Sequence, residues 1–159
     1  MEEEVKKNSI GQKIDKGKKY ESPESLAEYL EFDFGEQEYF GIRNFPAHCA
    51  DLVKAEATKR GLSGRALDIG CALGRSTVEL VSNFSEVVGV DHSKNFIEHA
   101  EKIAKEKYSN VADKIKYVVG DACTLDESLG KFDVIFSGNV LDKLEDPETF
   151  LKTLPKFLN

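Results

Sequence analysis

The sequence predicts an α/β fold, a parallel sheet with helices on both faces, and three observations carry the prediction. Four short β-type runs recur between residues 66 and 136. Each is followed by a turn, and most by a helical pattern, the alternation that produces right-handed βαβ crossovers. At 159 residues with 40% apolar and 32% charged side chains, the chain also has the balance of one domain with its own core.

The elements follow in order. Residues 1–19 hold six lysines against four acids and are read as a flexible basic tail. Ser22-Pro23 is an N-cap followed by proline at the first helical position, and Leu26, Tyr29 and Leu30 share one face of the helix that follows. Phe32-Asp-Phe-Gly35 ends that helix and leads into a loop rich in aromatics (Phe34, Tyr39, Phe40, Phe45). Pro46 opens a second helix running to Arg60, with Gly61 as its stop. The four strands are 66–69, 86–90, 115–119 and 132–136. A short helix from Ser76 to Asn83 separates the first two. A longer one from Lys94 to Tyr108, with Phe96, Ile97, Ala100, Ile103 and Ala104 on its apolar face, separates the next two. Asp146-Pro147 starts a last helix that Pro155 breaks or kinks. The expected division is a tail over 1–19 and a domain over 20–159, made of N-terminal helices (20–61) and a core (62–159).

Charge and composition exclude several function classes. The first 20 residues carry a net +2 and the remaining 139 a net −9. Such an acidic body suits nucleic acid poorly. No apolar run approaches the ~18 residues of a membrane span. The charged start, Met1 to Val5, shows no apolar signal region, so a cytoplasmic protein without membrane partners is expected. Three widely spaced cysteines (Cys49, Cys71, Cys123) form neither a disulfide framework nor a metal signature.

The chemistry lies in Leu67-Asp-Ile-Gly-Cys-Ala-Leu-Gly-Arg-Ser76. A strand delivers Asp68, then Gly70 and Gly74 bracket a tight turn that opens a helix. Gly70 permits a turn that a side chain would obstruct, and Gly74 lets the turn lie against a ligand. Free N–H groups at the helix start favour a carboxylate or phosphate. The D-x-G-x-x-x-G spacing differs from the G-x-G-x-x-G of pyrophosphate-binding folds. An acid at the base of so short a loop suits a ligand with a free ammonium group and no pyrophosphate, and S-adenosylmethionine is such a ligand. Asp91, 21 residues after Gly70, ends the second strand, where an acid accepts from both ribose hydroxyls. Asp121-Ala122 ends the third strand, in reach of an adenine amino group. Ser137-Gly-Asn139 ends the fourth on the same edge, so four strand ends point polar groups into one crevice.

Over residues 60–158 the segments ALDIGCALG, VVGVDHS, VVGDA and FDVIFSGNVLDKL resemble the class I S-adenosylmethionine-dependent methyltransferases. From Tyr20 onward, YLEFDFG, NFPAHCADL, GRALDIGCALGRSTVEL, EVVGVDHSKNFI and NVLDKLEDPETFLKTLP resemble the methyltransferase domain of ovothiol biosynthesis, a 4-mercaptohistidine ring N-methyltransferase. The resemblance implies a Rossmann-like three-layer α/β/α sandwich. It implies that Asp68 and the Gly70, Cys71, Ala72 and Gly74 loop hold the methionine moiety, that Asp91 holds the ribose, that Asp121 and Ala122 border the adenine, and that Asn139 lies near the methyl donor or acceptor. Arg75 either reaches a carboxylate or solvates its turn. His92 either contacts the nucleoside or is a solvated loop histidine. Tyr29, Tyr39, Asn44, Phe45 and His48 are the candidate substrate contacts, and no catalytic residue is named.

The implied function is N-methylation of a thiohistidine imidazole. The alternatives are methylation of another small molecule, or an inactive binding or scaffold module. The family sheet has seven strands in the order 3-2-1-4-5-7-6. The four found here predict the order 3-2-1-4, without the last three, and an open edge at the fourth strand. That edge implies a fragment, a homo-oligomer or a partner chain covering it.

Overall fold

The computed structural model describes residues 16–35, 38–39 and 42–159, with the side chains of 16, 17, 38, 39, 42 and 43 outside it. Most of the expected tail therefore lies outside the described residues. Its end, Lys16–Lys19, forms a helical turn, α1.

Helix α2 (Pro23–Phe34) starts where the sequence predicts. Ser22 Oγ accepts the Ser25 N–H at 3.1 Å, and Pro23 supplies a φ already suited to a helix. The expected aromatic loop holds a short antiparallel hairpin: β1 (Glu38–Tyr39) pairs with β2 (Ile42–Arg43). Helix α3 (Phe45–Arg60) ends at Gly61 in the left-handed region, φ 68°.

A parallel sheet follows, of β3 (Arg65–Ile69), β4 (Glu86–Asp91), β5 (Ile115–Val119) and β6 (Val134–Phe136), in the order β5-β4-β3-β6. This is the order the sequence predicts. Helices α4 (Arg75–Leu80) and α5 (Lys94–Lys107) are the crossovers to β4 and β5, and α6 (Pro147–Thr153) follows β6. Pleating sorts the side chains. Leu67, Ile69, Val88 and Val90 face Phe132, Phe150 and Phe157 on one side of the sheet. Ala66 and Val87 face Ala50 and Ala57 of α3, and Leu80 and Phe84, on the other. A third cluster sets Leu73, Phe96 and Ile103 under Tyr20, Leu26 and Tyr29, so α2 roofs the carboxyl end of the sheet.

Three boundaries differ from expectation. Helix α4 stops at Leu80, because the Ser82 hydroxyl donates to its own turn at Glu79 O and the Asn83 amide donates outward to Lys54 O and Thr58 Oγ1. Strand β6 begins at Val134, because Asp133 turns its carboxylate to accept the Gly64 N–H (2.7 Å) and the Asn159 amide (2.6 Å). The edge beside β6 is not wholly open. Phe132 makes a parallel bridge with Leu158, donating to Phe157 O at 2.8 Å and accepting from the Asn159 N–H at 3.1 Å. Pro155 ends α6 as predicted, and 154–157 continue as a 3₁₀ turn. No helix among the described residues is long and apolar enough to cross a membrane.

Candidate functional site

A cleft of about 600 Å³ opens at the carboxyl ends of the four parallel strands, the ordinary place and size for a small-molecule site in an open α/β sheet. The strand ends, the glycine loop, α2 and the start of α3 all contribute walls.

The loop between β3 and α4 is held from three sides. Val90 O accepts both the Gly70 N–H (2.7 Å) and the Cys71 N–H (3.1 Å). Asp91 Oδ2 accepts the Ala72 N–H at 3.0 Å, while its Oδ1 accepts the Ser93 N–H at 2.9 Å. Asp33, from the end of α2, accepts the Leu73 N–H at 3.1 Å and is also held by the Arg75 N–H. Asp68 lies beneath the loop, 1% exposed, its Oδ2 accepting from the Ser76 (2.6 Å) and Thr77 (2.7 Å) hydroxyls. These bonds fix the strand-to-helix turn at a backbone that non-glycine residues rarely adopt. Gly70 has φ 73°, and a side chain there would run into Val140.

Electrostatically the site is acidic. Desolvation pushes the Asp33 carboxyl up to about 7, against the N–H groups of Arg75 and Leu73, which favour its charged form. Burial lifts Asp68 to about 6, against the Ser76 and Thr77 hydroxyls. Asp91 is raised, again by desolvation first. Burial pushes the Cys71 thiol well above its ordinary value, which removes it as a nucleophile. Among the described residues, only Lys19, Lys143 and His92 bring basic side chains to the lining, against Asp33, Asp68, Asp91, Asp121, Asp142, Glu145 and Asp146.

An aromatic wall runs along the opposite side. His92, Tyr20, Tyr29, Phe32 and Phe45 succeed one another at ring-centroid separations of 5.2, 5.9, 6.2 and 6.0 Å. The Ser93 hydroxyl fastens this wall to the sheet by donating to Tyr20 O at 3.2 Å. Burial pushes the Tyr29 hydroxyl up to about 12, so it stays protonated.

Of the residues predicted from sequence, Asp68, Gly70, Cys71, Ala72, Asp91, His92, Asp121, Ala122, Asn139, Tyr29 and Phe45 line this one cleft. Asn139 stands at φ 58°, its side-chain oxygen accepting from Lys143 at 3.0 Å, and Asp121 accepts the Cys123 N–H at 2.7 Å. The side chain of Tyr39 lies outside the described residues.

Four of the expected residues, Gly74, Arg75, His48 and Asn44, are not among those that line the cleft. The space over Gly74 is filled by the Tyr117 hydroxyl, not left for a ligand. Arg75 is bound to Glu79 at 2.8 Å and stacked over Phe34, away from the cleft lining. His48 is exposed and outside the lining; one residue on, Cys49 faces the cleft instead. Asn44 is a structural cap. Its Oδ1 accepts the Ala47 N–H, and its amide donates to Phe32 O (2.9 Å) and Asp33 O (3.2 Å). Asn44→Ala is expected to cost about 1–2 kcal/mol of stability, measured by thermal unfolding, since it removes an N-cap and the tie between α2 and α3.

The N–H groups opening α4 are the place where the sequence predicts a ligand anion. Asp33 occupies that place from within the chain. In the sequence Asp33 is only part of Phe32-Asp-Phe-Gly35, the end of a helix. Its only signal was its place in an otherwise aromatic run.

Comparison with known proteins adds the following. The family model described as a methyltransferase domain matches residues 67–159. The chain is 36% identical over 124 residues to a demethylmenaquinone methyltransferase of Lactococcus lactis, covering 74% of this chain and 47% of that protein. It is 28% identical over 89 residues to a norajmaline N-methyltransferase of Rauvolfia serpentina, covering 55% of this chain and 30% of that protein. The chain thus spans half or less of the length of these two relatives. Among solved structures, magnesium protoporphyrin IX methyltransferase of Synechocystis, with S-adenosylhomocysteine bound, superposes with a TM-score of 0.72 at 22% identity, over 89% of this chain and 66% of that one.

Proposed function

Because the chain belongs to the methyltransferase domain family, and its fold is the Rossmann-like fold of the class I enzymes, we propose that it is an S-adenosylmethionine-dependent methyltransferase for a small molecule. The observation that carries the reading is the set of groups meeting at the strand ends. Asp91, its two oxygens aimed by the Ala72 and Ser93 N–H groups, keeps lone pairs for ribose hydroxyls. Asp68 and the loop carbonyls answer an ammonium group, and Asp121 with Ala122 borders the place for the base.

The donor fits the residues present. An acidic cleft in which Asp33 already takes the Leu73 and Arg75 N–H groups suits a cationic ligand better than a pyrophosphate. When bound, S-adenosylmethionine supplies an electrophilic methyl group on a sulfonium. The chain's own residues then need only orient and enclose. The aromatic wall from His92 to Phe45 excludes water, and the loop, fixed by Asp33 and Asp91, holds one geometry. No residue is assigned a proton transfer.

The proposed acceptor is the imidazole ring of a thiohistidine, as the ovothiol-type segments YLEFDFG, NFPAHCADL and NVLDKLEDPETFLKTLP suggest. The cleft supports it with aromatic rings for a flat ring, carboxylates Asp142 and Glu145 for an amino group, and Lys143 for a carboxylate. The ring attacks through a neutral nitrogen, which imidazole retains in part near pH 7. The cytoplasm is the proposed location. Incubation with the donor and a panel of thiohistidine, histidine and a demethylated quinol, read by mass, tests this. A product one methyl heavier from thiohistidine alone is expected. Methylation of the quinol alone would replace the acceptor while keeping the reaction.

A further inference from the structure

Asp33 is 2% exposed on the cleft wall. Among the described residues no Lys, Arg or His side chain makes an ion pair with it. The Arg75 guanidinium bears on it electrostatically, yet is committed to Glu79. The other titratable groups that face it are Asp68 from β3, Cys71 of the loop, Tyr29 of its own helix and Tyr117 of β5, none of them a cation. Asp33 is thus a buried carboxyl held by backbone donors, its one nearby cation being the Arg75 guanidinium that already bonds Glu79, on the wall of the cleft. Such a group is costly until a proton or a cation joins it.

We propose that Asp33 is a specificity-determining residue that makes the cleft favour the sulfonium donor over the neutral thioether product. The inference rests on the donor assignment above. S-adenosylmethionine and S-adenosylhomocysteine share the nucleoside, the ammonium and the carboxylate. They differ by one methyl group and one positive charge on sulfur. A buried carboxylate in low dielectric senses that charge, and a neutral amide in its place does not. The preference speeds clearance of spent product, since the ligand that has lost its charge has lost its attraction to Asp33.

The pH dependence follows with a definite sign. Burial holds Asp33 at about 7 and Asp68 at about 6, both above the ordinary carboxylate value. The ligand-free protein therefore has this part of its stability in full only below the ordinary carboxylate value and loses it progressively as pH rises from there through about 6 and about 7. A cation in the cleft restores it above them.

Calorimetric titration of both ligands against wild type and Asp33→Asn, between about pH 6 and pH 8, reads the effect directly. Asparagine still accepts the Leu73 N–H, so the loop stays held, and thermal unfolding checks the fold. At pH 8 the variant is expected to bind the sulfonium about 10-fold more weakly and the thioether within about 2-fold of wild type. The wild-type preference for the sulfonium is expected to shrink toward pH 6, and that of the variant to stay flatter. Equal losses for both ligands would reduce Asp33 to a brace for the loop and overturn the proposal. So would a wild-type preference that is constant with pH, which needs no variant to fold. Wild-type protein that binds neither ligand would overturn the donor assignment and this inference together. Binding of both with an unmoved ratio overturns this inference alone.

Discussion

Asp91→Ala is expected to weaken S-adenosylmethionine binding by about 10- to 100-fold, the loss of roughly 1.5–3 kcal/mol that a hydrogen bond to a charged acceptor contributes. The substitution removes the acceptor at the end of β4 and leaves the Ala72 and Ser93 N–H groups without the partner they have at 3.0 and 2.9 Å. The loop therefore loses both its anchor and its ligand contact. Asp91→Asn separates the two effects. It keeps one oxygen acceptor, and is expected to retain most of the thermal stability while still binding the donor more weakly. Calorimetry on the three proteins reads the affinity. Equal affinity for wild type and Asp91→Ala would remove the ribose assignment.

Gly74→Ala is expected to destabilise the fold by about 2–5 kcal/mol, the sum of a left-handed residue that is no longer glycine and an overpacked contact. The backbone at Gly74 stands at φ 87°, and the added methyl would meet the Tyr117 hydroxyl. Tyr117 reaches there from β5 across Gly89 of β4, so two glycines on different elements make room for one ring. Tyr117→Phe withdraws the hydroxyl. In a double-mutant cycle it is expected to recover the overpacking part of the loss and none of the backbone part. Urea unfolding of the four proteins measures this. A coupling of zero would show that the loop shifts away from the ring instead of pressing on it.

Much of the fold was legible because its signals are local. Ser22-Pro23 and Gly61 mark helix ends by hydrogen bonds and φ values that each segment settles for itself. The amphipathic stripe of α5, from Phe96 to Ala104, carries its own period. The strand order followed from four β runs at βαβ spacing, since right-handed crossovers leave few arrangements. The meeting of these strand ends in one cleft was legible for the same reason. Asp68, Gly70, Asp91, Asp121 and Asn139 all sit at carboxyl ends of strands, and parallel strands bring those ends together.

What the sequence could not disclose depends on contacts across long separations. Asp33 and Leu73 are 40 residues apart, and only the packing of α2 over the sheet turns an acid in an aromatic run into the partner of the glycine loop. The same packing makes a wall of Tyr20, Tyr29, Phe32 and Phe45, and commits Asn44 to tying α2 to α3. Gly74 shows the difference most plainly. The sequence determined that a glycine opens the helix there, because only that backbone admits the turn. The tertiary structure decided what the vacant side chain makes room for, a tyrosine ring 43 positions further along the chain, since the space beside a turn belongs to whichever group the fold brings against it.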